Sequence, residues 1–202
     1  MTNDMFQKTS NHSQLNIVPQ HFIINHFLYT DEGIHSLFPG NEILPLSGKI
    51  SCYVQFVQNT GDLKIAETTI YNLSNEKLSV KLIVENRMIT ENDRFVFVSP
   101  KKDVLFHSDE QRLCLTSGIW KGKSIRQYGA IPSDRNINEL LQSGHIGYNP
   151  IGKGNVSGYY TLEAEMEPNE CSAAFTWAIT SQSENVLLEM NETLQKNRLA
   201  FL

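Results

Sequence analysis

Residues 157–179 run SGYYTLEAEMEPNECSAAFTWAI. Leu162, Ala164 and Met166 alternate with Glu163, Glu165 and Glu167, the period-two pattern of a strand with one wet face. Pro168-Asn169 turns the chain. Beyond it Cys171, Ala173, Phe175, Trp177 and Ile179 alternate with Ser172, Thr176 and Thr180, which predicts a second strand whose aromatic face meets the same core as Leu162, Ala164 and Met166. The alternation also sends Tyr159 and Tyr160 to opposite faces, so at most one of them is expected inside. A helix should follow at once, because Ser181 and Glu184 have capping-box spacing and Leu187, Met190 and Leu194 recur at helical intervals.

Working outward, the same grammar recurs. Phe22–Tyr29 and Ile50–Val57 read as strands, the latter with Cys52, Val54 and Phe56 on one face. Ile65–Tyr71 and Leu78–Val84, separated by Asn72–Lys77, read as a hairpin. Short β-rich runs at Phe95–Val98, Val104–His107 and Leu113–Thr116 follow at sandwich-like spacing. Asp134–Leu141 has the composition for one or two helical turns. The fold class expected is all-β, an antiparallel β-sandwich with a short C-terminal helix. A flexible polar arm is expected over residues 1–16 and a single sandwich domain over 17–202, since no linker-like stretch divides the chain.

Of 202 residues, 40% are hydrophobic and 19% charged, an ordinary globular balance, and the net charge of −5 argues against a nucleic-acid surface. The basic clusters, Lys101-Lys102 and Lys121 with Lys123 and Arg126, are short and read as solvated loop faces. Three cysteines, Cys52, Cys114 and Cys171, stand far apart in apolar runs and read as buried, reduced thiols. The N-terminal residues lack the apolar segment of a secretory signal and no run is long enough to span a membrane, so a cytoplasmic start is expected, with a spore or cell surface open to an assembled form. Sequons at Asn11, Asn72, Asn155 and Asn191 are read as by-products of an Asn/Ser/Thr-rich chain.

Motifs that would carry chemistry fail on spacing. Gly118 to Ser124 leaves three residues between its glycines where a phosphate-binding P-loop needs four, so a β-turn carrying an exposed lysine is expected. Gly144, Gly147, Gly152, Gly154 and Gly158 are dense, yet they miss the dinucleotide spacing and lead into a strand. His12, His21, His26, His35, His107 and His145 form no zinc-ligand pattern. Glu163, Glu165 and Glu167 lie side by side on one wet face, unlike two carboxylates flanking a scissile glycosidic bond. No catalytic residue, cofactor site or metal site is nominated. The glycine loop bears Tyr148, Tyr159 and Tyr160, whose flat amphipathic rings are the candidate contact residues.

The ordered parts, namely Asn149-Pro150-Ile151-Gly152-Lys153-Gly154-Asn155-Val156, the strand Tyr159–Glu167, the Pro168 turn, the strand ending Phe175-Thr176-Trp177-Ala178 and the helix Asn185–Glu192, resemble the N-terminal β-sandwich (supersandwich) domain of bacterial glucoamylase-like glycoside hydrolases. The Ile65–Val84 pair looks like a strand pair of that family. The resemblance implies a sandwich that precedes a catalytic helical barrel in the family. The family's catalytic carboxylates lie in that barrel, beyond Leu202, so the resemblance implies no hydrolase activity here.

Together these readings lead to a non-catalytic β-sandwich acting by contact, either a carbohydrate-associated accessory module or one that docks to a protein. The alternative is a self-associating structural protein of a bacterial spore or cell surface, joined through its arm and odd cysteines. The partners expected are another protein or further copies of the chain, with polysaccharide open, no nucleic acid and no membrane span.

Overall fold

The computed structural model describes residues 22–43, 48–90, 93–133 and 142–199. The polar arm expected at residues 1–16 and the helical turns expected at Asp134–Leu141 lie outside them. The described residues form β1 (Phe22–Thr30), β2 (Gly33–Leu37), β3 (Glu42–Ile43), β4 (Ile50–Asn59), β5 (Leu63–Asn72), β6 (Leu78–Met88), β7 (Phe95–Ser99), β8 (Val104–Ser108), β9 (Leu113–Trp120), β10 (Tyr128–Pro132), β11 (Ile151–Lys153), β12 (Val156–Met166), β13 (Cys171–Ser181) and the helix α1 (Glu184–Leu199). Two antiparallel sheets result, one of five strands in the order β10-β12-β6-β1-β2 and one of eight in the order β11-β7-β8-β9-β13-β5-β4-β3. The all-β sandwich with a C-terminal helix is as the sequence predicts.

The pair expected to be a hairpin instead crosses between sheets, and so does the pair that flanks the Pro168 turn. β5 pairs with β4 and β13, whereas β6 pairs with β1 and β12. Likewise β12 belongs to the five-stranded sheet and β13 to the other. The two turns are therefore arches, and they are bonded to each other. Asn72, buried, donates from Nδ2 to the carbonyls of Glu76 (2.8 Å), Glu167 (2.9 Å) and Met166 (3.3 Å), and its Oδ1 accepts from the Ser74 backbone N–H at 3.0 Å. The Asn72 N–H donates to Glu170 O at 2.8 Å and the Asn169 N–H to Ser74 O at 3.3 Å. Asn169, at φ 58°, supplies the positive φ that the corner after Pro168 needs. With these donors spent on arch-to-arch bonds, each turn is held open and its strands pair elsewhere.

The layer between the sheets holds Leu28, Ile50, Cys52, Val54, Ile70, Leu82, Val84, Leu105, Cys114, Tyr160, Leu162, Met166 and Ala178. Fully burying each such large side chain is worth roughly 1.5–3 kcal/mol. β13 contributes its small residues here, Ala174 and Ala178, with Thr176 between them. Its aromatic face, Phe175, Trp177 and Ile179, points the other way and packs with Ile65, Val104, Phe106, Leu115 and Ile119 beneath Leu187, Leu188, Met190 and Leu194 of α1. The expectation that Trp177 shares the core of Leu162 is thus corrected: Trp177 is buried, but on the outer face of the larger sheet. A helix that brings its own apolar stripe makes that face a second core. Trp177 Nε1 donates to the buried Asn191 Oδ1 at 2.9 Å, which satisfies both groups. The helix starts at Glu184 with its first backbone bond from Leu187 N–H to Ser183 O, and the Ser181 hydroxyl instead accepts from the Ser183 N–H at 3.1 Å, so the cap sits two residues later than the capping-box spacing predicts.

Candidate functional site

The loop around Gly144–Ile146 lies on the outer face of the five-stranded sheet, and the chain then runs along β7 as β11 before entering the smaller sheet as β12. Lys81, projecting from β6 on that face, donates to Gly144 O at 2.5 Å and lies 3.6 Å from Glu163 Oε1. Gln127 donates to Glu163 Oε1 at 2.9 Å and accepts the Ile146 N–H at 2.8 Å. Gly144 sits at φ 61°, and a Cβ there would stand 2.5 Å from the Tyr29 ring. The loop therefore lies flat on the sheet and packs its own Ile146 with Ile83, Ile131 and Tyr159 in one apolar patch.

That cover decides the fate of the three tyrosines. Tyr160 points between the sheets and donates to Ser117 O at 2.8 Å, while Tyr159 points outward into the patch beneath the loop. They are 0% and 1% exposed, so the expectation that one of the pair faces solvent is overturned: alternation does separate them, but both faces of β12 are covered. Burial pushes both phenols far above the usual tyrosine range, with Glu85 adding to the shift at Tyr159. Tyr148, in contrast, is 65% exposed and stands edge-on to Tyr128, ring centroids 5.9 Å apart.

Three residues past Tyr148, β11 forms an apolar edge that no sequence motif marks. β11 pairs with β7, setting Ile151 opposite Phe97 and Lys153 opposite Phe95 on the outer face of the larger sheet. Ile151 is 64% exposed, Phe95 39% and Phe97 36%. Phe97 stacks on Phe106 at 4.9 Å, Lys153 Nζ lies 5.2 Å from the Phe95 ring centre, and Asp93 pairs with Lys153 at 3.5 Å. The ladder is rigid, being locked by Val98 N–H to Pro150 O and Gly154 N–H to Arg94 O, both 2.8 Å. α1 packs chiefly on β9 and β13 of that face. The available signal was Phe95 and Phe97 alternating with Val96 and Val98, apolar on both faces where a wet face would be polar. Chemically, such an edge offers flat apolar rings beside a Lys153–Asp93 ion pair for stacking or docking.

Elsewhere the candidate groups fall into place as structure. Lys121 and Gly122, at φ 48° and 73°, form the tight turn between Trp120 and Lys123, and Lys121 pairs with Glu170 at 2.7 Å. Glu165 and Glu167 pair with Lys77 at 2.5 and 3.3 Å along the exposed strand face. His26 and His107 lie in the inter-sheet layer against the hydroxyls of Thr176 (2.8 Å) and Thr116 (3.2 Å), and burial lowers them to about 4 and about 3. His107 packs over Gly158, where a Cβ would meet its ring at 2.6 Å. Cys52 and Cys114 are buried free thiols pushed up to about 12, whereas Cys171 is exposed, contrary to expectation, because it opens β13 past the edge of the helix-covered face. Among the described residues no group of His, Cys, Asp and Glu is gathered to hold a metal ion, and no helix is long and apolar enough to cross a membrane.

No family model and no curated protein sequence matches this chain. Among solved structures, a bacterial glucoamylase complexed with acarbose superposes with a TM-score of 0.61 at 9% sequence identity, over 86% of this chain and 28% of that one. At that identity the likeness is one of fold, and the present chain spans little more than a quarter of the enzyme's length.

Proposed function

We propose that this chain is a non-catalytic β-sandwich that works by contact, as an accessory module associated with carbohydrate or docked to a protein. The observation that carries the reading is the exposed edge made by Ile151, Phe97 and Phe95 on a hydrogen-bonded ladder, with Tyr148 exposed against Tyr128 just before it in the chain. Rings held this way stack on the apolar face of a sugar or fill a partner's pocket at little entropic cost. The fold shared with part of a bacterial glucoamylase favours the carbohydrate half of the reading by analogy only. A second reading, self-association as a structural protein, is favoured by a different observation: Cys171 is exposed opposite Tyr71 at the arch end of the larger sheet, with Leu73 exposed nearby.

The test substitutes Tyr148→Ala and Phe97→Ala, alone and together, and measures retention on immobilised α-glucan alongside light scattering with and without reductant. The proposal expects the double variant to keep its fold and lose retention or lose binding to a protein partner. Reductant-sensitive assembly that survives both substitutions and disappears in Cys171→Ser would support the second reading and sink the first.

A further inference from the structure

At the end of β6 nearest the start of β1, a hollow of about 200 Å³ is lined by Ile23, Arg87, Met88, Ile89, Thr90 and Arg94. Arg94 is anchored, its Nη1 donating to Met88 O at 2.9 Å and its Nη2 to Asn155 Oδ1. Arg87 stands across from Ile23 on the outer face of the five-stranded sheet and is half-buried. Nearby carboxylates among the described residues have partners of their own, and Asp109 accepts a hydrogen bond from Thr90 at the rim of the hollow. Glu85 accepts from Asn25 (2.8 Å) and Ser157 (2.9 Å), Asp93 pairs with Lys153, and Asp109 pairs with Arg112. Among the described residues no carboxylate forms an ion pair with either Arg87 or Arg94. Two guanidinium groups therefore share one concave site with no ion-paired carboxylate among the described residues, and burial and the charge of Arg87 together hold Arg94 below the usual arginine range.

We propose that this hollow is a binding site for a small oxyanion, a carboxylate or phosphate group, with Arg87 as the binding residue and Arg94 as the fixed second charge. A planar guanidinium offers paired N–H donors that match the two oxygens of either group, and an anion between the two arginines removes their repulsion. The apolar wall of Ile23, Met88 and Ile89 leaves room for the carbon skeleton that bears the charge. This inference is independent of the contact reading, which concerns the β7/β11 edge.

The experiment titrates the full chain with sodium phosphate and, separately, sodium glucuronate, by calorimetry and thermal unfolding, against sodium chloride at matched ionic strength. At least one of the two anions should bind and raise the unfolding midpoint. Arg87→Gln should weaken that binding about tenfold or more, and Arg87→Lys, which keeps the charge but not the fork, should weaken it less. An unchanged midpoint of Arg87→Gln in chloride shows that the fold is intact. Binding of phosphate alone identifies a phosphorylated ligand, and binding of glucuronate alone an acidic sugar or other carboxylate. No binding above chloride, or equal binding by wild type and Arg87→Gln, overturns the proposal.

Discussion

The two outer faces of the sandwich are closed by opposite means. Over the larger sheet, α1 lays Leu187, Leu188, Met190 and Leu194 on Trp177, Phe106 and Ile119, and the Trp177 indole donates to Asn191 across the helix–sheet contact. Over the smaller sheet no helix of the described residues lies; a loop brings Ile146 onto the buried Ile83, Ile131 and Tyr159 and is pinned by Lys81, Gln127 and a glycine fitted against Tyr29. The helix-covered face is stabilised by apolar area, and the loop-covered face by individually placed polar contacts. Apolar burial adds up over many atoms, whereas a net hydrogen bond is worth only about 0.5–1.5 kcal/mol. The first face should therefore be costly to breach at its centre, and the second should open locally.

The largest expected effect is at the centre of the helix-covered face. Trp177→Ala should cost about 3–5 kcal/mol in a denaturant titration, because it empties a large fully buried site and strands the Asn191 amide. A loss below about 1 kcal/mol would mean that α1 does not close that face.

Next comes acid, which acts on the layer that both faces share. His26 and His107 are buried neutral, with folded values of about 4 and about 3 against 6.5 unfolded. Their contribution is whole above the unfolded value and is lost as the pH falls from there towards the folded values, at roughly 1.4 kcal/mol per pH unit for each group. Stability at pH 5.5 should consequently lie about 2–3 kcal/mol below that at pH 7.5, with helix and loop signals lost together. Replacing both histidines with Gln should flatten that slope; an unchanged slope would place the acid sensitivity elsewhere.

A smaller effect is expected on the loop-covered face. Gly144→Ala forces a Cβ into the Tyr29 ring at a positive φ and should cost about 1–3 kcal/mol, while amides of α1 keep their protection. If α1 loses protection in step, the faces are not independent. The smallest effect is chemical. One thiol, Cys171, should react quickly with a soluble reagent and two slowly, and substitution of Cys171 by Ser should remove the fast phase with little change in stability.

The strands themselves were legible in the sequence, because period-two alternation is a local property; β7, β8, β9, β12 and β13 fall where the apolar runs lie. Partner choice was not local. Whether Asn72–Lys77 closes a hairpin or bridges two sheets depends on Asn72 reaching the carbonyls of Met166 and Glu167, a contact between residues more than ninety positions apart. The same holds for Trp177, whose side of the sheet is decided by a helix that brings Asn191 to its indole. Asn72 and Asn191 both looked like idle sequons, and nothing in a three-residue pattern distinguishes a glycosylation site from a buried amide. At the candidate site, Tyr148 was readable as an exposed ring in a glycine loop, but Tyr159 could not be placed without knowing that the loop folds back over its strand.

Native-state hydrogen exchange tests the contrast between the two faces most directly. The Ile146 amide, bonded to Gln127 Oε1, should exchange through a local opening of lower free energy than the central amides of α1 around Met190 and Asn191. Equal opening free energies at the two places, or earlier exchange in the centre of the helix, would contradict it.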